Sequence, residues 1–292
     1  MPAGNRDPKR LGLAWERVKP MLLKLACGYL IWLGIALGLQ RKVVFPRGAA
    51  QALQHAGSDI ANLEKSWLAT DDGRVGVWFA PVPDAEGPRP AVVFAHGNAE
   101  LIDDQAASIA LYHELGLHIL LVEYRGYGRS DGSPTQTNIT ADHVVAYYAL
   151  AKDPRVDKTK IFFHGHSVGT GIVCSLAATR PPAGLILRAP FRSIASMLLS
   201  YGIPWFLVLD PLDNEAVIRK LDVPVLVLHG DQDTVIPVGH GEAVARAAKR
   251  GTFKVYPGAG HNDFPEDGAV YRADITALLR DAGWTPPIPQ RF

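Results

Sequence analysis

Cysteine is scarce in this chain, which has only two, Cys27 and Cys174, among 292 residues. Cys27 lies in a hydrophobic run and Cys174 in an apolar stretch, so the pair offers neither a disulfide framework nor the spacing of a zinc site. We interpret Cys174 as an apolar core residue. Internal repeats and low-complexity segments are also missing from the sequence.

An excess of charge of either sign is lacking as well. The 30 Lys and Arg residues are balanced by 29 Asp and Glu residues, which leaves a formal net charge of +1. No basic cluster alternates with aromatic residues, so we do not expect nucleic acid to be a partner. The chain is 48% hydrophobic, and its length suits one large α/β domain or two small ones.

A long hydrophobic run near the N-terminus is the exception to this balanced composition. Residues 21–40 read "MLLKLACGYLIWLGIALGLQ" and carry one charge, Lys24. The run is long enough to cross a bilayer, and a lysine near its end can reach the headgroups. It is apolar on all sides, which favours a membrane anchor over an amphipathic helix packed on the domain or in an oligomer interface. We therefore divide the chain into an N-terminal segment, 1–43, and a main domain, 44–292.

A signal sequence fits this run less well than an anchor does. No convincing A-x-A cleavage site follows the apolar core, which argues against a cleaved signal peptide. Lys24 and the apolar residues after Cys27 argue against a lipoprotein signal. The flanking basic residues are slightly more numerous on the N-terminal side, which predicts a single anchor with the main domain on the non-cytoplasmic side. These residues are Arg6, Lys9, Arg10, Arg17 and Lys19 before the run, and Arg41, Lys42 and Arg47 after it.

Apolar runs alternate with helical patterns along the main domain. The predicted strands include "VGVWFAPV", "PAVVFAHG", "LHILLVEYRG", "GLILRAP", "PVLVLHG" and "TFKVYPGAGH". Residues 101–115 and 140–150 have helical periodicity, with Thr140 as the expected N-cap. Because the strands are continuous apolar runs, they predict an α/β fold with a mostly parallel sheet covered by helices on both faces. Residues 191–221 form either a small lid-like segment or a longer crossover.

The stretch "KIFFHGHSVGTG", residues 160–171, places Ser167 between two glycines. An apolar strand precedes it and a helical pattern follows, which is the context that a G-x-S-x-G nucleophile motif requires. Gly165 and Gly169 fit a turn in which strand and helix pack too closely for side chains. His166 adjoins the serine, so we expect its side chain to point elsewhere. Ser167 is the candidate nucleophile.

A nucleophilic serine needs a histidine base, and that base needs a carboxylate. Of ten histidines, His261 alone lies in a glycine-bounded loop after the last predicted strand. For the acid, Asp231 and Asp233 both follow the strand "PVLVLHG". A carboxylate directly after Gly230 suits turn closure, so we favour Asp233.

The motifs "HGNAE", "EYRGYGRSDGSP", "GHSVG", "HGDQDTVIP" and "GAGHND" occur in this order. They resemble those of serine hydrolases of the α/β-hydrolase superfamily, and most closely its Bem46-like branch, over roughly residues 60–285. The resemblance implies Ser167 as nucleophile, Asp233 as acid and His261 as base. It also implies an oxyanion hole made by the backbone N–H groups of Asn98 and Val168. Glu123 departs from the aspartate usual before Tyr-Arg-Gly, and we expect a structural role for it.

This resemblance implies a hydrolase that forms an acyl-enzyme and needs no metal or organic cofactor. We expect carboxylic esters or thioesters with a hydrophobic acyl chain as substrates, because residues 201–209 and the anchor both suit lipid-like molecules. One alternative is a serine peptidase of the prolyl-peptidase type. Another is a non-catalytic ligand-binding module on the same fold. The oligomeric state is not predicted by the sequence.

Overall fold

The computed structural model describes residues 8–265 and 268–287 of the chain. The chain divides into two compact units, Met1–Gln40 and Arg41–Phe292. The first unit consists mainly of helix α1, Pro8–Val44, which continues into the second. Within α1, Val18–Val44 has a mean hydropathy of 1.9 and is long and apolar enough to cross a membrane. Large hydrophobic side chains of this segment, including Leu23, Leu30 and Ile31, are exposed.

The second unit is built on a sheet that has eight strands within the described residues, in the order β1-β2-β4-β3-β5-β6-β7-β8. Strand β2 runs antiparallel to both of its neighbours, and every other adjacent pair is parallel. The strands are β1 Glu64–Thr70, β2 Gly73–Ala80, β3 Arg89–Ala95, β4 His118–Val122, β5 Val156–His166, β6 Leu185–Arg188, β7 Pro224–Gly230 and β8 Arg250–Tyr256. The prediction of a mostly parallel sheet is confirmed.

Helices connect the parallel strands and cover the sheet. They are α2 Ala106–Glu114, α3 Gln136–Lys152, α4 Val168–Ala177, α5 Ile194–Leu198, α6 Asn214–Ile218, α7 Gly239–Ala247 and α8 Ala269–Asp281. Successive residues of a strand point to opposite faces, and each face of the sheet has its own core. Val93 of β3 packs in the core that includes residues of α3, α4 and α7, whereas Val92 packs in the core with α2 and α8.

Helix α3 begins earlier than its apolar periodicity indicates. Its N-cap is Thr135, whose hydroxyl accepts the N–H of Asn138 at 3.1 Å. The Asn138 side chain accepts the N–H of Thr135 in return at 2.8 Å, which completes a capping box. The prediction of Thr140 as N-cap is wrong, since its hydroxyl donates to the carbonyl of Gln136 inside the helix. The polar first turn has no apolar stripe, so periodicity could not reveal it.

Residues 191–221 contain two short helices, α5 and α6, and two 3₁₀ turns, Leu199–Tyr201 and Trp205–Leu207. Asn214 links this segment to helix α4, because its buried amide donates to Thr170 Oγ1 at 3.0 Å. The same amide donates to the carbonyl of Phe191, at the start of the segment, at 2.9 Å. Trp205 and Phe206 are 75% and 66% exposed. The segment therefore has an anchored base and an apolar outer surface.

Candidate active site

Ser167 lies at the sharp turn between the last residue of β5 and the first residue of α4. Its backbone has φ +52° and ψ −118°, a region that normally favours glycine. Such a conformation costs a non-glycine residue about 1–3 kcal/mol and occurs preferentially at functional sites. Its N–H donates to the carbonyl of Arg188 on the neighbouring strand β6 at 3.0 Å, which supports the turn.

The two glycines around Ser167 are required by close backbone packing. A Cβ atom on Gly169 would lie 2.1 Å from the carbonyl oxygen of Ala95 on β3. A Cβ atom on Gly165 would lie 2.5 Å from the carbonyl oxygen of Gly169. Both distances are far below van der Waals contact, so a side chain at either position would force α4 away from the sheet.

The structure brings Ser167, His261 and Asp233 into one hydrogen-bonded chain. Ser167 Oγ lies 2.9 Å from Nε2 of His261, and Nδ1 of His261 lies 2.7 Å from Oδ2 of Asp233. Because the carboxylate can only accept, Nδ1 carries the ring proton and Nε2 is free to accept the serine hydroxyl proton. The three residues follow β5, β7 and β8, which end at the same edge of the sheet. They have the geometry of a nucleophile, a base and an orienting acid.

The carboxylate of Asp233 is fixed by several donors. Its Oδ1 accepts the N–H groups of Val235 at 2.9 Å and Ile236 at 2.8 Å. Its Oδ2 also lies 3.3 Å from Nε2 of His229. Burial favours the neutral acid, but the hydrogen bonds from His229, His261 and the Ile236 N–H outweigh it and hold the pKa of Asp233 well below its usual range. The carboxylate is therefore charged at neutral pH and can stabilise a histidinium.

Asp231 has a different environment. It is exposed, and its Oδ1 accepts the N–H of Gly258 at 2.7 Å. This hydrogen bond links the loop after β7 to the loop after β8. A contact with the backbone of a loop is what the sequence predicts for a carboxylate directly after Gly230.

Asn98 and Val168, the residues with which the resemblance builds an oxyanion hole, follow the adjacent strands β3 and β5. Val168 is the first residue of α4, where a backbone N–H has no acceptor within the helix. Positive potential at a helix N-terminus would favour a developing oxyanion there. The Asn98 side chain is held by the hydroxyl of Tyr127, which donates to Oδ1 at 3.0 Å.

Glu123 supports the loop that carries Asn98. Its Oε1 lies 2.8 Å from Nε2 of His96, and its Oε2 accepts the N–H of Ile102 at 3.2 Å. Burial alone would lower the pKa of His96, but the charge of Glu123 outweighs it and raises that pKa. The structural role expected for Glu123 fits these contacts.

Two residues near the serine were not predicted from the sequence. Oε1 of Glu100 lies 2.7 Å from Nδ1 of His166, so a second acid–histidine pair lies beside the first. The ring centres of His166 and His261 are 5.5 Å apart. The sequence features that could have indicated this pair are a carboxylate, Glu100, three residues after His96-Gly97, and a histidine, His166, directly before the serine. Among the described residues, no group of three or more His, Cys, Asp or Glu side chains could hold a metal ion.

Comparison with known proteins agrees with this architecture. A family model described as serine aminopeptidase, S33, matches residues 86–219, and one described as alpha/beta hydrolase fold matches residues 183–268. An uncharacterized protein of Mycobacterium tuberculosis is 36% identical over 255 residues, which cover 83% of this chain and 88% of that protein. Lysophosphatidylserine lipase ABHD12 of Danio rerio is 27% identical over 293 residues, which cover 82% of this chain and 74% of that protein.

The fold also matches solved structures. That of Est1E from Butyrivibrio proteoclasticus has a TM-score of 0.61 at 18% identity and covers 75% of this chain and 99% of that one. The strand order, the serine turn and the sequence matches lead to the same family. The chain belongs to the alpha/beta hydrolase superfamily.

Proposed function

We propose that this chain is a serine hydrolase that cleaves carboxylic esters or thioesters with a hydrophobic acyl chain. The observation that carries the proposal is the continuous hydrogen-bonded path from Ser167 through His261 to Asp233, which begins at a strained serine backbone. Membership of the alpha/beta hydrolase superfamily supports hydrolysis as the class of reaction. The roles of the individual residues and the substrate are the parts that we infer.

In the first half of the reaction, Ser167 Oγ attacks the carbonyl carbon while its proton passes to Nε2 of His261. Asp233 stabilises the histidinium that forms and keeps the ring in the productive tautomer. The N–H groups of Asn98 and Val168 donate to the oxygen of the tetrahedral intermediate, and each such donor is worth roughly 3 kcal/mol. His261 then protonates the departing alcohol or thiol, which leaves an acyl-serine.

In the second half, water replaces the leaving group. Nε2 of His261 removes a proton from the water as it attacks the acyl carbon, and returns that proton to Ser167 Oγ when the acid departs. The charged Asp233 serves both halves, because histidinium forms once in each.

The surface near residues 191–221 supports a hydrophobic substrate. No charged residue occurs between Arg192 and Asp210, and Leu199, Trp205 and Phe206 are all well exposed. Isolated exposed apolar residues are common, but a cluster of this kind indicates a surface that meets apolar molecules. One relative is named as a lipase of a lysophospholipid, which is consistent with an ester of lipid type.

We also infer that α1 anchors the chain in a membrane, with the hydrolase domain on the non-cytoplasmic side. The length and composition of Val18–Val44 support the anchor, and the basic residues around it support the orientation. An anchored enzyme would meet lipid esters at a high local concentration.

A serine peptidase is the second candidate. The family model described as serine aminopeptidase covers residues 86–219, including the proposed nucleophile. Nothing in the described residues offers an obvious pair of carboxylates for a substrate amine, since Glu100 is already bonded to His166 and Gly97. A non-catalytic module is favoured least, because it would not need all three members of the hydrogen-bonded path.

The deciding experiment compares purified full-length protein with Ser167→Ala and with Ser175→Ala, a control serine in the same helix whose hydroxyl donates to the carbonyl of Gly171. We expect a fluorophosphonate probe to label wild type and Ser175→Ala but not Ser167→Ala. Turnover should fall by about 10⁶-fold in Ser167→Ala if the three residues act as a unit.

A substrate panel then separates the candidates. It contains p-nitrophenyl esters of increasing chain length, lysophospholipids, acyl thioesters and an aminoacyl-naphthylamide. Ester or thioester turnover without amide turnover supports the proposal, amide turnover alone supports the peptidase, and binding without any turnover supports the module.

A further inference from the structure

Glu100 bridges the two backbone segments that flank the proposed active site. Its Oε1 lies 2.7 Å from Nδ1 of His166, the residue before the proposed nucleophile. Its Oε2 accepts the N–H of Gly97, the residue before Asn98, at 3.0 Å, and the side-chain amide of Gln105 at 3.2 Å. One carboxylate thus holds the loop after β3 and the end of β5 at a fixed separation.

His166 uses one ring nitrogen for this contact. The carboxylate accepts, so Nδ1 carries the proton and donates it. The side chain is buried, and its Nε2 has no hydrogen-bond partner among the described residues. Burial and the charge of Arg188 lower the pKa of His166 to about 4 despite the carboxylate beside it. A neutral imidazole with its proton on Nδ1 can donate to Glu100. The hydrogen bond therefore does not require a protonated, charged His166 ring.

Glu100 holds the peptide group before Gly97, and His96 holds the next one, between Gly97 and Asn98. The carbonyl of Gly97 accepts Nδ1–H of His96 at 2.8 Å, while Nε2 of the same ring faces Glu123. The carbonyl and the N–H of one trans peptide point in opposite directions. Fixing the Gly97 carbonyl therefore also fixes the direction of the Asn98 N–H.

There is little free space around this arrangement. A Cβ atom on Gly97 would lie 2.8 Å from Nδ1 of His166 and 2.9 Å from Oε1 of Glu100. The backbone, the carboxylate and the imidazole are in direct contact, so a change in any one of them is transmitted to the other two.

We propose that Glu100 and His166 are positioning residues for the oxyanion hole, which set the distance and direction between the Asn98 N–H and Ser167. This inference rests on the proposed function, because it assigns work to the same site. Neither side chain is required to touch the substrate. They act by holding the donor where the tetrahedral oxygen forms, and this oxygen is charged only in the transition state and the intermediate.

Loss of the bridge should therefore lower kcat more than it raises KM. Misplacement of a catalytic group by about 1 Å costs up to roughly 10²-fold in rate. We expect Glu100→Ala and His166→Leu to lose about 10- to 100-fold in kcat, less than the roughly 10²–10³-fold that follows complete removal of an oxyanion donor. KM should change by less than about threefold, because ground-state binding does not use the oxyanion contact.

The test measures kcat, KM and the inhibition constant of a trifluoromethyl ketone in the full-length protein. This inhibitor adds to the serine and places a charged oxygen in the oxyanion hole. Its inhibition constant should rise in parallel with the loss of kcat/KM in both variants. The double variant should be no worse than Glu100→Ala alone, since that change already removes the contact with His166 together with the bond to Gly97. His166→Asn should restore most of kcat, because its amide nitrogen can take the place of Nδ1.

His118 supplies the matched control. It is a buried histidine at the first residue of β4, whereas the proposed catalytic residues follow the carboxyl ends of their strands. Its ring accepts the N–H of Val82 and donates to the carbonyl of Arg155, at 2.9 Å each. His118→Ala should lose thermal stability yet keep wild-type kcat and inhibitor affinity. Equal losses in His118→Ala, unchanged inhibitor affinity in the Glu100 and His166 variants, or additive effects in the double variant would each overturn the proposal.

The same measurements separate this inference from the function on which it rests. If the wild-type protein neither hydrolyses esters nor reacts with the fluorophosphonate at Ser167, the proposed function fails. If the wild type does both and the Glu100 and His166 variants match it, only the positioning role fails.

Discussion

The carboxylate of Asp233 lies 2.7 Å from Nδ1 of His261, with Oδ2 as the facing atom. Its other oxygen, Oδ1, is held by two backbone N–H groups, so the carboxylate cannot rotate away from the ring. Asp231, two residues earlier, faces Gly258 instead. The two aspartates of this loop thus contact different groups, and each can be substituted separately.

Asp233→Asn should lower kcat by roughly 10⁴-fold, because an amide facing Nδ1 favours the ring tautomer that cannot accept the serine proton. Asp231→Asn should keep most of the activity and lower thermal stability instead. Steady-state kinetics and thermal melts of both variants make the comparison. The reverse pattern would identify Asp231 as the acid.

Gly169→Ala should destabilise the protein by about 1–3 kcal/mol or more, the usual cost of overpacking, and should also lower turnover. The added methyl group would meet the carbonyl oxygen of Ala95, a backbone atom that cannot move aside alone. Gly239→Ala is the matched control, since a Cβ atom there meets nothing within 4 Å. Urea unfolding and ester kinetics should show a loss of stability and of turnover in Gly169→Ala but not in Gly239→Ala. Equal losses in the two variants would contradict the packing argument.

Folding stability should decrease as the pH falls from about 6.5 to about 4. Burial lowers the pKa of His143 to about 4, and burial together with Arg188 does the same for His166. An unfolded histidine titrates near pH 6.5, so in this window the unfolded chain binds more protons than the folded chain. Each histidine contributes a loss on the order of 3 kcal/mol across the window. Below about pH 4, protonation of Asp233, whose folded pKa is depressed, adds a further loss.

His143→Phe tests this origin of the pH dependence, because His143 is buried and lies outside the proposed catalytic groups. Urea midpoints measured between pH 4 and pH 7 should depend less steeply on pH in the variant than in wild type. If the urea midpoint of His143→Phe changes with pH as steeply as that of wild type, groups other than His143 cause the pH dependence of stability.

Removal of residues 1–40 should give a protein that needs no detergent and still hydrolyses short, water-soluble esters. The compact second unit begins at Arg41, and Phe45 already packs in its core. Arg41 also forms a 2.8 Å ion pair with Asp210, which is the reason to retain it. Turnover of lipid esters in vesicles should fall more than turnover of short esters, since the proposed anchor would supply proximity to the bilayer. An aggregated product, or an equal loss on both substrates, would indicate that the helix is part of the folded domain.

Much of this site could be predicted because its residues occupy positions that local sequence defines. Ser167 lies between two glycines after an apolar strand, and His261 lies in a glycine-bounded loop after the last strand. The choice between Asp231 and Asp233 rested on turn chemistry; in the structure Asp231 contacts Gly258 and Asp233 contacts His261.

What could not be predicted depends on which strands are neighbours. Glu100 and His166 are separated by β4 in sequence, but β3 and β5 are adjacent in the sheet, and only this order brings the two side chains together. Strand β1 was missed for a related reason. Its residues are mostly exposed, so pairing with β2 rather than an apolar pattern makes it a strand.

The backbone conformation of Ser167 has a consequence for evolution and engineering. The strain at this turn belongs to any side chain with a Cβ atom, so Ser167→Ala keeps it, whereas Ser167→Gly relieves it. We expect Ser167→Gly to lose activity and yet to be more stable than the wild type, by up to about 1–3 kcal/mol. Selection for stability alone would favour glycine at this position, so a serine in this conformation is what we expect where the hydroxyl is needed for chemistry.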